Sequence, residues 1–285
     1  MKLAQIQMRV GPDKAANLRH AEALLAQAAD ADMAVLPEMF CCPYDNACFR
    51  AYGEPEGGTA RAFTAHFGRL AQGGPAYQML SRAAAAHGLW VVGGSLPELD
   101  GDKVYNTSYV FDPTGRCVAR HRKMHLFDID VAGGQRFRES DTLSAGNEIT
   151  VFDTPWGKMG LCICFDLRFQ ELAQLMALEG AQVLLVPAAF NMTTGPAHWE
   201  LLFRQRAVDG QLFTAGTSPA RDETASYVAW GHSIVCDPWG TVLHQCGAGE
   251  QVVVTELNMS RVSAIREQLP ILSARRTDAY DTRKK

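Results

Sequence analysis

The sequence predicts a layered α/β fold built from two similar halves. Short apolar runs typical of buried strands alternate with alanine-rich and leucine-rich stretches of helical periodicity, and this alternation favours sheets covered by helices. Several short segments of the first half also recur in the second. The 285 residues are 47% hydrophobic and 20% charged, a composition typical of globular proteins with a large core. We therefore expect residues 1–285 to form one domain containing two sheets.

In the first half, the elements follow each other closely. Residues 3–8 alternate between apolar and polar side chains and predict a strand, and residues 17–31 form an alanine-rich helical pattern. Residues 33–37 and 89–93 are short apolar runs that predict buried strands. The glycine-rich segment 57–75 encloses a short helical stretch and predicts a surface excursion.

The second half repeats this order. Residues 160–164 predict a strand, residues 171–179 a helix that ends at Gly180, and residues 183–186 another strand. The tail, residues 270–285, is irregular and polar, and we expect it to reach a neighbouring subunit.

Three pairs of segments suggest an internal duplication. The pairs are Val35–Phe40 with Val186–Phe190, Val110–Gly115 with Val235–Gly240, and Gly93–Pro97 with Ala215–Pro219. The second pair shares an Asp-Pro-x-Gly turn that joins two strands in a hairpin. This turn is common and proves little alone, but the three pairs together favour two related halves.

Charge and cysteine spacing exclude several classes of function. A net charge of -4 gives no basic surface for nucleic acid or an anionic membrane. No apolar run approaches 18 residues, and the amino terminus lacks the apolar core of a secretory signal, so we expect a cytoplasmic protein without a membrane span. The eight cysteines form no Cys-x-x-Cys pair, which argues against a zinc site, and we expect most to be reduced and buried.

Cys164 is a candidate nucleophile because it lies where the predicted strand 160–164 meets a predicted helix. The free N–H groups of that helix would lower the pKa of the thiol and offer an oxyanion site. Cys162, one pleat earlier, is expected to be core.

A thiol nucleophile needs a base and a neighbouring cation. Glu38 and Lys123 each follow a predicted strand, and charged side chains at the carboxyl ends of strands face the usual ligand crevice of α/β folds. Taken singly, each is also compatible with a solvated strand end, and Glu139 is a loop acid without local context. A Cys-His pair is a competing arrangement, for which the sequence supplies His125, His198 and His232.

Longer motifs make the sequence resemble the nitrilase superfamily of carbon-nitrogen hydrolases, and within it the omega-amidase branch. Pro37-Glu38, Arg122–Leu126 and Cys164–Phe169 resemble its Glu, Lys and Cys motifs. The branch is indicated by Lys123–Asp130, Thr193–Leu202, Ser218–Asp222 and Ala225–Ser233.

The resemblance implies a four-layer α-β-β-α sandwich and a specific chemistry. It implies that Cys164 is the nucleophile, that Glu38 is the general base and acid, and that Lys123 and the N–H of Phe165 stabilise the oxyanion, with Glu139 as a second active-site acid. It also implies that no metal or organic cofactor is needed and that the protein is a homodimer or a larger homo-oligomer.

The implied substrate is a short 2-oxo acid with a terminal amide, such as 2-oxoglutaramate or 2-oxosuccinamate. Arg168 could bind the distal carboxylate in a bidentate manner, although an ion pair with Asp166 or Glu171 is an alternative. Tyr44 and Thr194 are further candidates for contact with the substrate.

Two departures from the family pattern concern the surroundings of the nucleophile. Cys162 stands where glycine is common, and Phe165 replaces a common tyrosine; the excursion at 57–75 is longer than in typical relatives. Related amidases that act on N-carbamoyl amino acids, deaminated glutathione or aliphatic amides are the nearest alternative. A redox sensor with an exposed thiol is a more distant one, because it would leave Glu38 and Lys123 without a role.

Overall fold

A computed structural model of the protein describes residues 1–58 and 73–284. The elements up to residue 122 are β1 (Lys2–Gln7), α1 (Lys14–Gln27), β2 (Met33–Val35), α2 (Asn46–Phe49), β3 (Glu54–Pro55), α3 (Pro75–His87), β4 (Trp90–Val92), β5 (Leu96–Asp100), β6 (Lys103–Phe111) and β7 (Cys117–Arg122). The later elements are β8 (Asp128–Asp130), β9 (Arg136–Arg138), β10 (Thr150–Thr154), β11 (Gly157–Leu161), α4 (Gln170–Leu178), β12 (Ala181–Pro187), α5 (Gly195–Gly210), β13 (Phe213–Thr217), β14 (Ile234–Cys236), β15 (Val242–Gln245), β16 (Gln251–Glu256) and α6 (Ser260–Gln268).

The two main sheets repeat one topology. The first has the order β16-β1-β2-β4-β6-β5-β3, with β7 also paired to β6, and the second has the order β10-β11-β12-β13-β14-β15. In the first sheet β1, β2 and β4 are parallel and β6 is antiparallel to β4; in the second, β11, β12 and β13 are parallel and β14 is antiparallel to β13. The crossover helices also correspond, α1 and α3 to α4 and α5. This equivalence confirms the predicted duplication.

Alternating side chains on the strands build the four layers. In the first sheet Leu3 and Val35 point into a core that also holds Leu161 and Val183 of the second sheet. Their neighbours point the other way, where Ala4 and other residues pack under α1 and α3. The second sheet packs under α4 and α5 in the same manner. The α-β-β-α sandwich expected from the sequence is therefore confirmed.

The two Asp-Pro-x-Gly turns have the same geometry. The N–H of Gly115 donates to the carbonyl of Asp112, and the N–H of Gly240 donates to the carbonyl of Asp237, each at 2.8 Å. Both glycines have positive φ, 79° and 80°, which glycine adopts without strain. The turns connect β6 to β7 and β14 to β15, so they occupy equivalent places in the two sheets.

Several boundaries differ from the sequence prediction, and two of them have a clear local cause. Helix α1 begins at Lys14 because the side chain of Asp13 accepts a hydrogen bond from the N–H of Ala16 at 3.0 Å. Strand β11 ends at Leu161 rather than at Cys164. The N–H of Ile163 turns away from the sheet and donates to Asp166, and residues Cys164–Arg168 then form a 3₁₀ turn.

The glycine-rich excursion lies largely outside the described residues. After α6, the described part of the tail contains neither strand nor helix, and Leu269, Ile271 and Tyr280 are exposed there. Within the described ranges, we find no helix that is both long enough and apolar enough to cross a membrane.

Candidate active site

The predicted chemical groups meet at one end of the sandwich. Glu38 follows β2, Lys123 follows β7 and Cys164 lies three residues after β11, while Glu139 begins a short 3₁₀ turn after β9. Because the carboxyl ends of parallel strands lie at the same edge of a sheet, these segments converge. All four side chains are buried.

Lys123 is at the centre of the cluster. Its ammonium donates to one oxygen of Glu38 and to one oxygen of Glu139, each at 2.9 Å, and none of the three side chains is exposed. Burial alone would lower the pKa of Lys123, but the charges of Glu139 and Glu38 outweigh it and raise the pKa. The Tyr44 hydroxyl donates to Glu139 at 2.6 Å and lies 3.3 Å from the Lys123 ammonium. Lys123 therefore remains a cation inside the protein.

Glu38 is held by three donors that point to its two oxygens. Besides Lys123, the amide of Asn106 donates at 2.8 Å, the N–H of Ala189 donates at 2.8 Å, and the hydroxyl of Tyr44 lies 3.4 Å away. Burial raises the pKa of Glu38, and the neighbouring Lys123 cation opposes the increase only in part. A carboxyl with a raised pKa can accept a proton near neutral pH and return it.

Cys164 has an unusual backbone conformation. Its φ of +48° lies in the left-handed region, where a non-glycine residue is strained, and Met39, next to Glu38, has a φ of +53°. Such conformations cost about 1–3 kcal/mol each and are frequent at active sites.

The expected low pKa of the Cys164 thiol is wrong. Burial, followed by the charge of Glu38, raises its pKa well above the usual value, and the opposing effect of Lys123 is smaller. The sequence suggested a full helix after Cys164, but the turn has only five residues and its dipole is correspondingly small. The thiol is therefore protonated at rest, and it needs a base to become a nucleophile.

Cys162 lies in the apolar core of the second sheet, as the sequence predicts. It is 1% exposed and packs in the cluster that contains Met176 and Leu184 under α4. Burial raises the pKa of this thiol as well.

Asp166 was not predicted as a site residue other than as an alternative partner of Arg168. Its carboxylate accepts hydrogen bonds from the rings of His121 and His125 and from the backbone N–H groups of His125 and Ile163, at 2.8–3.1 Å. Burial would raise the pKa of Asp166, but the hydrogen bonds from the histidines outweigh burial and lower it. Asp166 thus connects the segment after Lys123 to the turn that carries Cys164.

Arg168 has no carboxylate partner among the residues that the structure describes. One terminal nitrogen donates to Nδ1 of His198 at 3.1 Å, and its guanidinium lies 4.8 Å from the ring centre of Phe190 and 5.7 Å from that of Phe165. Asp166, a predicted alternative partner, is occupied by the two histidines. Burial lowers the pKa of Arg168, and Cys164 is among the groups that act on it, so this cation lies beside the site.

The histidines considered as bases have other partners. His125 contacts Asp166, His198 accepts from Arg168, and Nδ1 of His232 lies 3.0 Å from the carbonyl of Cys246. The geometry of these three residues therefore gives no support to a Cys-His pair.

Thr194 makes a hydrogen bond within its own segment of the chain. Its hydroxyl donates to the side chain of Asn191 at 3.0 Å, immediately before α5, and it is 9% exposed. Phe165 packs edge-on against Phe127 and Phe169, which gives this side of the nucleophile an apolar wall.

Two further residues are part of the site and were assigned no role from the sequence. Asn106 binds Glu38, and Tyr227 stacks on Tyr44 with ring centres 4.4 Å apart. The Tyr227 hydroxyl donates to the carbonyl of Ala189. Tyr227 lies within a motif that supports the family resemblance, but strand and helix periodicity gives no signal for either residue.

A cleft of about 280 Å³ opens over this cluster. Its lining includes Glu38, Tyr44, Ala189 and Tyr227, together with the loop 219–229. Cys164 is not part of that lining and is only 4% exposed, so its side chain is almost closed off from solvent.

A buried cysteine with an adjacent glutamate and lysine, at one end of an α-β-β-α sandwich, is the arrangement of a thiol-dependent hydrolase. Residues 2–267 match the model of the carbon-nitrogen hydrolase family, and the chain belongs to this family. The predicted superfamily is thereby confirmed.

Individual relatives match over nearly the whole chain. The omega-amidase NIT2 of Danio rerio is 49% identical over 98% of this chain and 96% of its own length, and the omega-amidase NIT2 of Homo sapiens is 45% identical over the same shares. The crystal structure of Saccharomyces cerevisiae Nit3, a member of branch 10 of the nitrilase superfamily, is 39% identical with a TM-score of 0.85, and covers 97% of this chain and 96% of Nit3. The expectation of an amide-cleaving hydrolase is confirmed by these relatives.

Proposed function

We propose that the protein is an omega-amidase that converts short 2-oxo dicarboxylic acid monoamides, such as 2-oxoglutaramate and 2-oxosuccinamate, into the 2-oxo acid and ammonia. The observation that carries this proposal is the buried Lys123 cation between Glu38 and Glu139, adjacent to Cys164 and to the Arg168 cation. The similarity to omega-amidases over nearly the full chain supports it.

In the first half of the reaction, Glu38 takes the thiol proton as the sulfur of Cys164 attacks the amide carbon. The carbonyl oxygen becomes an oxyanion, which the ammonium of Lys123 and the N–H of Phe165 stabilise. Glu38 then gives its proton to the amide nitrogen, the carbon–nitrogen bond breaks, and ammonia leaves a thioester on Cys164.

In the second half, water replaces ammonia. Glu38 takes a proton from water as the oxygen attacks the thioester, and the same donors hold the second oxyanion. The carbon–sulfur bond then breaks, the thiol regains its proton and the 2-oxo acid is released. This cycle uses only water and groups of the protein itself, and needs neither a metal nor an organic cofactor.

Substrate choice is assigned to the groups around the thiol. Arg168 binds the distal carboxylate of the substrate, because it is a partly buried cation with no acidic partner among the described residues. Phe165 forms an apolar wall, and Tyr44 orients Glu139 and Lys123 through its hydroxyl. Thr194 is the weakest of these assignments, because its hydroxyl already has an intramolecular acceptor.

The proposal extends to the state of the whole protein. Residues 1–285 act as one domain, and the protein is a homodimer or a larger homo-oligomer in which the tail, residues 270–285, contacts a neighbouring subunit. All eight cysteines are free thiols, as in most proteins of the cytoplasm, where we place this protein. Light scattering of the full chain and of a chain ending at residue 269 tests the assembly; monomer masses for both would contradict it.

The test of activity is ammonia release from 2-oxoglutaramate, an N-carbamoyl amino acid and a neutral aliphatic amide, by the native protein and by Cys164→Ala. We expect 2-oxoglutaramate to have the highest kcat/KM and the variant to be inactive. If another amide is turned over faster and Cys164→Ala is inactive, the proposed substrate is wrong and the proposed mechanism stands. Turnover by Cys164→Ala would refute the mechanism, and reversible thiol oxidation without amide turnover would favour a redox sensor.

A further inference from the structure

Arg168 is restrained by three side chains. Two aromatic rings contact its guanidinium, Phe190 at 4.8 Å and Phe165 at 5.7 Å. The rings offer the guanidinium apolar and cation–π contact but no hydrogen-bond acceptor. Nδ1 of His198 at 3.1 Å is the only hydrogen-bond acceptor that the described residues offer to Arg168. This contact therefore determines which edge of the guanidinium remains available.

The contact also fixes the protonation state of His198. Arginine can only donate hydrogen bonds, so Nδ1 of His198 must carry a lone pair and the imidazole must be neutral. A protonated imidazole would lose the hydrogen bond and place a second positive charge beside the guanidinium. The buried Nε of Arg168 has no acceptor among the described residues, as expected for a group that awaits an anionic ligand.

We propose that His198 is a positioning residue for substrate specificity, because its neutral ring holds Arg168 in the orientation that receives a substrate carboxylate. The inference rests on the proposed function, in which Arg168 binds that carboxylate. A neutral acceptor is suited to this task, because an aspartate or glutamate at position 198 would neutralise Arg168 and compete with the substrate. His198 lies on the first turn of α5, and its backbone N–H donates to the carbonyl of Thr194, which anchors the backbone from which the ring projects.

The arrangement gives the specificity a pH dependence. Partial burial, and then the charge of Arg168, hold the pKa of His198 below its usual 6.5, and within residues 1–58 and 73–284 Arg168 is the one charged group that acts on this pKa. When the pH falls through the pKa of His198, Arg168 loses its acceptor, and KM for an anionic amide rises. A neutral amide does not use Arg168, so the ratio of the two kcat/KM values isolates this effect from the titration of the catalytic groups.

The experiment compares kcat/KM for 2-oxoglutaramate and for a neutral amide in variants of the full chain. Arg168→Met should lower the ratio by about 10- to 100-fold, the value of a charge-assisted hydrogen bond. His198→Phe keeps the ring volume without an acceptor and should lower the ratio by about 5-fold through KM rather than kcat. His198→Asn places an oxygen near the position of Nδ1 and should largely restore it. His87→Phe, on the outer helix α3, is the matched control.

Calorimetric binding of 2-oxoglutaramate to the same variants in a Cys164→Ala background gives a second measurement that needs no turnover. If Arg168→Met leaves both the ratio and the binding unchanged, the carboxylate role in the proposed function fails. If Arg168→Met has its effect but His198→Phe matches the native protein, only the inference about His198 fails. Equal losses in His198→Phe and His198→Asn would also overturn it, because they would indicate a packing role. The inference would also be overturned if the ratio for His198→Phe still decreased as the pH is lowered, as it does in the native protein.

Discussion

Replacement of Lys123 by methionine would remove the ammonium that separates two buried carboxylates and would keep the unbranched side chain. The ammonium lies 2.9 Å from an oxygen of Glu38 and from an oxygen of Glu139, so these oxygens are no more than about 5.8 Å apart. At an effective dielectric constant of about 20, two unit charges at this distance repel by about 3 kcal/mol. Removing one partner of a buried ion pair costs about 3–5 kcal/mol. We expect the free energy of unfolding of Lys123→Met to be about 3–5 kcal/mol lower than that of the native protein at pH 8.

The loss should be smaller in acid. Without Lys123, one carboxyl of the pair takes up a proton, so between about pH 5 and 8 the folded variant binds more protons than the unfolded chain. Its stability therefore decreases as the pH rises. Urea unfolding at pH 5.5 and pH 8 measures this slope. Ammonia release should fall by about 100- to 1000-fold at both pH values, because the oxyanion loses its cation.

The double variant Lys123→Met/Glu139→Gln separates stability from catalysis. It lacks the cation and one of the two repelling charges, so it should regain much of the stability at pH 8 and remain inactive. Two results together would refute the reasoning: equal stability of Lys123→Met at both pH values, and no recovery in the double variant. They would mean that Glu38 and Glu139 are not both ionised around Lys123.

Three further changes test neighbouring contacts. Asp166→Asn should lower the free energy of unfolding by about 2–4 kcal/mol at pH 7, because the buried acceptor loses its charge. Since the pKa of Asp166 is lowered in the folded protein, its contribution to stability is present above about pH 4 and is lost in acid. A variant that is as sensitive to acid as the native protein would contradict this account. Glu38→Gln should abolish amide turnover yet speed alkylation of Cys164 by iodoacetamide at pH 7, because the charge of Glu38 raises the pKa of the thiol. Mass spectrometry of the labelled peptide measures the rate of alkylation, and slower labelling than in the native protein would argue against that electrostatic effect. Tyr44→Phe should lower kcat about 5- to 10-fold through loss of the 2.6 Å hydrogen bond to Glu139, and an unchanged kcat would show that this bond is not needed to orient Glu139.

The sequence predicts the parts of this site that are encoded locally. Glu38 and Lys123 each follow a strand signal, and Cys164 lies in a long motif, so all three could be named before the structure was known. The pKa of Cys164 could not, because it depends on burial and on a charge from a residue 126 positions away in the sequence, Glu38. Tyr227 could not be assigned a role for the same reason. Its contact with Tyr44 arises only when the two halves pack together, and its bond to the carbonyl of Ala189 joins two segments of the second half that are 38 residues apart.

The end of β11 shows a related limit. The apolar pattern continues to Cys164, and nothing in its periodicity indicates that strand β11 ends at Leu161. The N–H of Ile163 turns to the side chain of Asp166, three residues ahead, and the same carboxylate binds His121 and His125 from the other half of the fold. Local pattern therefore predicts the strand, and its end depends also on a nearby side chain that contacts with the other half hold in place.

Comparison of the two halves explains why the fold contains the set Glu38, Lys123 and Cys164 only once among the described residues. Matching the strand pairs places Ala188 at the position that corresponds to Glu38, and matching the hairpins places Ala248 at the position that corresponds to Lys123.

The reverse holds for the nucleophile, because the first-half counterpart of Cys164 is Met8, which is fully buried. The first half thus supplies the base and the cation, and the second supplies the thiol and the N–H of Ala189, which donates to Glu38. Because neither half holds a complete set of these groups, this chemistry depends on the packing of the two sheets, and Asp166 joins both halves at that junction.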